Sequence, residues 1–148
     1  MKVFIVEDSG KVRELLQRML TNLPNAQFVG SAVDELGAIE CIEALLPDVV
    51  ILDLNLKPGS GVEVLKSIKK NHPEIKVIVL TNYVDEFYIK SCKDAGVDYF
   101  FDKTFQFSMV RAVLWSLVYD DHSARKVEAL LKNGEENPKY SLEQQNAA

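Results

Sequence analysis

The stretch from Val49 to Gly61, "VVILDLNLKPGSG", decides the fold. Four apolar residues run into Asp53, and a loop containing Pro58, Gly59 and Gly61 follows. A short apolar run closed by turn residues predicts a strand buried on both faces, as in a parallel sheet covered by helices. The carboxylate at its end then asks for a purpose.

Working outward, four other runs have strand length and are rich in β-branched and aromatic residues: "KVFIV", "QFVGSA", "KVIVLT" and "VDYFF". The segments between them carry apolar residues at helical spacing. Val12, Leu15, Leu16, Met19 and Leu20 form the first set, and Ile39, Ile42, Leu45 and Leu46 the second. Val62, Leu65 and Ile68 follow, then Tyr88, Cys92 and Ala95, and finally Val110, Val113, Leu114, Leu117 and Val118. Alternation of five strands and five helices predicts an α/β fold with a doubly wound, five-stranded parallel sheet. Ligands of such sheets collect at the carboxyl ends of the strands, near the switch in strand order.

Composition narrows the classes. The chain has 148 residues, 47% of them hydrophobic, which suits one globular domain with a sizeable core and leaves no room for a second. A formal net charge of -5, with Lys and Arg scattered, argues against direct nucleic-acid binding through a basic face. The opening "MKVFIVE" meets an acid before a leader's apolar region forms, and no apolar stretch approaches the roughly 20 residues that span a bilayer. A cytoplasmic chain without a membrane partner is expected. Cys41 and Cys92 lack the close spacing of metal or redox motifs and read as thiols on apolar helical faces.

Polar residues accumulate where the strands end. Glu7 and Asp8 follow the first, Asp53 the third, Thr81 and Asn82 the fourth, and Asp102 and Lys103 the fifth. Asp8 or Ser9 also suits a cap of the first helix, and Thr81 or Asn82 a cap of the fourth. Three clustered carboxylates repel one another unless a cation sits among them or one holds a proton. A hard divalent ion such as Mg2+, or Mn2+, meets that need. With Lys103 neutralising phosphate oxygens and Thr81 donating a hydrogen bond, the set reads as a metal-assisted phosphoryl site with Asp53 as nucleophile.

The order "VEDS", "ILDLNLKPGSG", "VIVLT" and "GVDYFFDK" resembles the receiver domain of bacterial two-component response regulators over about residues 1–120. The resemblance implies a flavodoxin-like sheet order and a phosphorylation-dependent switch, in which Asp53 accepts a phosphoryl group from a histidine kinase or phosphotransfer protein. It implies that Asp8 and Asp53 bind Mg2+ directly, Glu7 binds it through water, and Asn55 supplies a backbone carbonyl. Thr81 and Lys103 would contact the phosphoryl group. Phe100 falls where the family often has a switching Tyr, and helix four falls on a region the family uses for partners. Asn55 and Tyr83 fall at positions that tune hydrolysis, so a bulky Tyr83 is expected to shield the phosphoryl group and slow self-dephosphorylation.

Three positions depart from the family pattern. The usual loop proline lies one residue before Pro58, Phe100 has no phenol oxygen, and Thr104 stands where a cis proline is common. A cis bond before Thr would cost about 2.5–4 kcal/mol, so a trans Lys103–Thr104 bond is expected.

The remaining residues read simply. His72 suits a solvated position at the end of helix three, His122 is isolated, and Trp115 suits core or interface packing. Residues 121–134 carry Ala124, Val127, Leu130 and Leu131 at helical spacing and read as a short helix or a continuation of helix five, with dimerisation through the Leu face as a further use. Residues 135–148 are polar and read as disordered. The tail is too short for a DNA-binding output domain, so the chain is a stand-alone receiver or its output lies elsewhere, and it binds a downstream protein target.

Two further classes compete with the switch. A scaffold that binds partners without phosphorylation would share the fold. A phosphatase resembling the haloacid dehalogenases would need an acid two residues after the nucleophile, where this chain has Asn55. The chain is therefore expected to be a phosphoacceptor that catalyses its own phosphorylation and dephosphorylation rather than a turnover enzyme on external substrates.

Overall fold

The computed structural model describes residues 1–119. Strands β1 (Lys2–Val6), β2 (Gln27–Ala32), β3 (Val49–Leu52), β4 (Lys76–Thr81) and β5 (Tyr99–Asp102) alternate with helices α1 (Gly10–Thr21), α2 (Glu35–Leu45), α3 (Gly61–Asn71), α4 (Glu86–Asp94) and α5 (Phe107–Val118). All pairings are parallel, and the order is β2-β1-β3-β4-β5. The winding direction reverses between β1 and β3, which opens a crevice at their carboxyl ends.

The period-two alternation of strands divides the apolar runs between two faces. Phe4, Val6, Val50, Leu52, Val77, Val79 and Phe100 pack with Ile42, Leu65 and Ile89 of α2, α3 and α4. Val3, Ile5, Val49, Ile51, Ile78, Leu80 and Phe101 pack with Leu16 and Leu20 of α1 and Val110, Val113 and Leu114 of α5. Each such side chain contributes roughly 1.5–3 kcal/mol on leaving water, so both helical layers are fastened by the sheet itself.

Four helices start on a capping oxygen. Ser9 accepts from the amide of Val12, Asp34 from Gly37, Ser60 from Val62 and Asp85 from Tyr88. The cap of α4 is thus Asp85; Thr81 and Asn82 lie upstream of it. Helical spacing also overstated two faces: Leu45 and Leu46 of the second set are exposed, because α2 buries Ala38 and Ile42 and the chain turns left-handed at Leu46. Leu15 of α1 is exposed too.

Two local devices set the geometry below the crevice. Gly61 opens α3 against the Asp53 loop, and its amide donates to the carbonyl of Leu54 at 3.0 Å. A Cβ added at Gly61 would overlap the Asp53 carbonyl and the Leu54 Cα, neither of which can swing aside. Gly61→Ala is expected to cost about 3 kcal/mol or more, read as a lower urea midpoint. At the other end of the sheet, Lys69 donates to Asp98 at 2.7 Å and to the Ile75 carbonyl at 2.6 Å, while the Val77 amide donates to Asp98 at 2.9 Å. This half-buried pair fastens the end of α3 to the turn before β5.

His72 is more than a solvated helix end. It closes α3 while its Nε2 lies 3.0 Å from Glu43 on α2 and its Nδ1 3.6 Å from Glu74. The hydrogen bond to Glu43 raises its pKa above the ordinary 6.5. A histidine with a raised folded pKa adds stability that is fully present below its unfolded pKa and is lost as pH rises through the folded value. His72→Gln is accordingly expected to lower the urea midpoint in acidic buffer and to leave it unchanged in alkaline buffer.

Candidate functional site

The backbone ladder carries the polar residues into place. The Glu7 amide donates to Ala32 of β2 at 3.0 Å, the Asp53 amide to Val6 of β1 at 2.9 Å, and the Lys103 amide to Thr81 of β4 at 2.9 Å. Each side chain therefore leaves a strand end whose direction a neighbouring strand fixes. The result is a crevice of about 260 Å³ lined by Glu7, Asp8, Ser9, Val12, Asp53, Asn55, Asn82 and Lys103.

Its polar contacts are specific. Lys103 Nζ donates to Glu7 Oε2 and to Asp53 Oδ2, both at 2.9 Å. The other oxygens accept backbone donors: Glu7 Oε1 from the Ser9 amide at 3.1 Å, and Asp53 Oδ1 from the Asn55 amide at 3.2 Å. Glu7 and Asp53 are 2% and 4% exposed, so their charges depend on these partners, whereas Asp8 is exposed. Arg13 donates to the Glu7 carbonyl at 2.9 Å and pins the start of α1 beneath the site.

Burial pushes the Glu7 carboxyl up, the hydrogen bond from Lys103 opposes this, and the neighbouring Asp53 adds to it; the net shift is upward. Burial alone would lower the Lys103 pKa, but its hydrogen bonds to Glu7 and Asp53 prevail and hold it above the ordinary lysine value. The ammonium thus stays charged where it bridges two buried carboxylates.

One carboxylate oxygen from each of Glu7, Asp8 and Asp53 lies within 4.8 Å of the others. Three carboxylates face one ammonium, and that excess of two negative charges, presented entirely by oxygen donors, is what a hard divalent cation requires. The donor set fits Mg2+.

Of the residues expected from sequence, Glu7, Asp8, Asp53, Asn55 and Lys103 meet in the crevice. Thr81 is fully buried at the end of β4, beneath rather than along the lining, where its hydroxyl oxygen accepts the Tyr83 amide at 3.1 Å. Tyr83 does not line the crevice either. Its ring stacks on Tyr88 at 5.0 Å and packs on the core, because an apolar neighbour one helical turn into α4 offers it burial.

The structure adds residues that sequence reasoning passed over. Val12 lines the crevice, and Arg13 and Glu35 support it; Glu35 accepts the Ser60 amide at 2.8 Å and so holds the loop after Asp53. Glu35 carried no local signal, since its partner lies on another loop. The loop contains a cis Lys57–Pro58 bond, and Lys103–Thr104 is trans as expected.

A sequence model described as the response regulator receiver domain matches residues 3–114. The chain belongs to the receiver domain family. Among curated relatives, the response regulator protein VraR of Staphylococcus saprophyticus is 31% identical over 131 residues, covering 88% of this chain and 62% of that protein. VraR of Staphylococcus aureus is 34% identical over 103 residues, covering 70% of this chain and 49% of that one. The receiver chain described here thus spans about half to three fifths of the length of these relatives. The response regulator domain of Thermotoga maritima CheB superposes with a TM-score of 0.70 at 27% identity, over 80% of this chain and 92% of that one. A DNA-binding response regulator of the LuxR family from Staphylococcus aureus superposes with a TM-score of 0.67 at 27% identity, over 85% and 97%. The flavodoxin-like order that the resemblance implied is the order observed.

Other expectations resolve outside the crevice. Cys41 is half-buried and Cys92 buried; both are free thiols, and burial pushes Cys92 up to about 12. Among the described residues no helix is long and apolar enough to cross a membrane. The helix expected over 121–134, the polar tail over 135–148 and His122 lie outside the described residues.

Proposed function

We propose that this receiver is a phosphorylation-dependent switch whose acceptor is Asp53. One observation carries the reading: a buried Asp53 carboxylate is oriented through both oxygens, by Lys103 and by the Asn55 amide, and shares its crevice with Glu7 and Asp8. An Asp53 oxygen attacks phosphorus of the donor, the new P–O bond forms, and the bond to the leaving group breaks with its electron pair going to that group. With a phosphohistidine donor, a histidine kinase or phosphotransfer protein, that bond is P–N, and the departing imidazole nitrogen takes up a proton. Lys103 moves from the Asp53 oxygen to the incoming phosphoryl oxygens and neutralises them. Asp8 and Asp53 would hold Mg2+, with Glu7 acting through water and the Asn55 carbonyl as a further ligand. A divalent ion bound there would supply positive charge against the charge developing on the phosphoryl oxygens.

Water later attacks the acyl phosphate, releasing inorganic phosphate and restoring Asp53, so the chain returns to its start without an external substrate. The outward signal runs from Thr81 through the Tyr83 amide to the stacked Tyr83–Tyr88 pair, and on to Phe87, whose ring meets Tyr88 edge to face at 5.3 Å. Phe87 is 71% exposed, which makes α4 the face offered to a downstream protein. Phe100 is fully buried beside this path and acts by repacking.

The test is intact-protein mass after incubation with a small phosphodonor such as acetyl phosphate. One phosphoryl mass, present with Mg2+ and absent with EDTA, is expected; no addition with Mg2+ favours the phosphorylation-independent scaffold. Because Tyr83 lies outside the lining, Tyr83→Ala is expected to leave the lifetime of the phosphorylated form unchanged. A marked shortening, followed by loss of that mass over time, would restore Tyr83 as the shield.

A further inference from the structure

Asn82 follows β4 and lines the crevice that holds Asp53 and Lys103. It does not cap α4, since Asp85 takes that position. The sheet order sets β4 between β3 and β5, so Asn82 rises between the strand that runs into Asp53 and the strand that runs into Lys103. Thr81, one residue earlier, lies beneath the lining with its hydroxyl oxygen accepting the Tyr83 amide. Asn82 is therefore the side chain that brings this strand end to the crevice wall. Its carboxamide is held from one side: Thr104 Oγ1 donates to Asn82 Oδ1 at 3.3 Å, across the loops that follow β4 and β5. That leaves the amide nitrogen as the end turned away from Thr104. Electrostatics favours the same orientation, because three carboxylates against one ammonium repel a carbonyl oxygen and attract an N–H donor.

We propose that, with Asp53 as the acceptor in the function just proposed, the Asn82 carboxamide donates a hydrogen bond to the phosphoryl group, and that Thr104 positions it. A phosphoryl group brings three acceptor oxygens and close to two negative charges into a crevice already rich in carboxylates. Lys103 is the one ammonium among the described residues that line the crevice. Asn82 adds a neutral donor, which satisfies a phosphoryl oxygen without a positive charge that would oppose a divalent ion at the carboxylates. In the transfer the new bond joins an Asp53 oxygen to phosphorus. With acetyl phosphate the bond to the acetyl group breaks, and acetate leaves with the electron pair. Asn82 gains and loses no proton. Its hydrogen bond strengthens as charge develops on the phosphoryl oxygens, so it acts on the rate of transfer rather than on cation affinity.

The test follows the gain of phosphoryl mass over time in the full chain, at fixed acetyl phosphate and Mg2+, beside Mg2+ affinity by calorimetry. Asn82→Ala is expected to gain the mass about tenfold more slowly, the worth of one hydrogen bond to a charged group, and to keep the wild type's Mg2+ affinity. Thr104→Val is expected to slow the gain by a smaller factor, and Thr104→Ser, which keeps the hydroxyl, to recover the lost rate. Because Thr104 acts through Asn82, the double variant Asn82→Ala with Thr104→Val should be no slower than Asn82→Ala alone. An Asn82→Ala variant modified on Asp53 as fast as the wild type, or faster, would overturn the proposal, the side chain then serving only to narrow the mouth. So would a loss of Mg2+ affinity that accounts for the whole slowing, or additive losses in the double variant, which would show that Thr104 acts elsewhere. A wild type that gains no mass overturns the acceptor role of Asp53 and this contact with it, an outcome distinct from equal rates.

Discussion

Asp53→Asn is expected to gain no phosphoryl mass from acetyl phosphate and Mg2+ under conditions in which the wild-type receiver is expected to gain one. The amide preserves the volume of the side chain and one acceptor oxygen, so the fold around the crevice persists. It removes the anionic nucleophile on which the P–O bond must form. It also removes one of the three carboxylates grouped within 4.8 Å, which weakens the cation site at the same stroke. The expected loss is complete, and far-ultraviolet circular dichroism should show an unchanged secondary structure. Residual addition would mean that a second residue accepts the group.

Lys103→Ala has the second largest expected effect, and it is on stability as well as function. Glu7 and Asp53 are nearly inaccessible to water, and Lys103 Nζ is hydrogen-bonded to both at 2.9 Å. Removing one partner of a buried charge cluster leaves the others uncompensated, which costs about 3–5 kcal/mol. In EDTA the urea midpoint of the variant should fall accordingly. Added Mg2+ binds the folded state and not the unfolded one, so it should recover part of the loss and should raise the variant's midpoint more than the wild type's. On the proposed mechanism the variant also lacks the ammonium that contacts the phosphoryl oxygens, so its phosphorylated form is expected to fail to bind a downstream partner. An unchanged midpoint in EDTA would show that water, rather than Lys103, compensates the two carboxylates.

Much of the architecture was legible because the two periodicities are clean. Runs such as "VVIL" and "KVIVLT" are apolar on both faces, as only strands of a helix-covered parallel sheet need to be, and the observed β3 and β4 occupy those positions. The site was legible for a related reason. Glu7, Asp53 and Lys103 each interrupt or end an apolar strand, and parallel strands place their carboxyl ends together whatever the loops do.

What sequence did not show are contacts whose partners lie far along the chain. Helical spacing placed Leu45, Leu46 and Leu15 on apolar faces, but the edge of the sheet at β2 leaves the end of α2 without a layer to cover it, and Leu15 stays exposed on α1. Trp115 suited core or interface packing, and because the inner face of α5 is filled by Val110, Val113 and Leu114 the indole stays half out. The α4 cap moved from Thr81 or Asn82 to Asp85 because the chain makes a further turn after β4, held by the Tyr83 amide on Thr81. Glu35 was invisible because it acts on Ser60, across a loop, and the ring of Tyr83, expected over the crevice, stacks on Tyr88.

The most direct test locates the phosphoryl group. Receiver phosphorylated with acetyl phosphate and Mg2+ is reduced with borohydride, which converts an aspartyl phosphate to homoserine, and is then digested and sequenced by mass spectrometry. Homoserine is expected at position 53, in the peptide carrying "ILDLNL", with Asp8 and Glu7 intact. Homoserine at Asp8, or a phosphate stable to this treatment on Ser9 or Thr81, would contradict it.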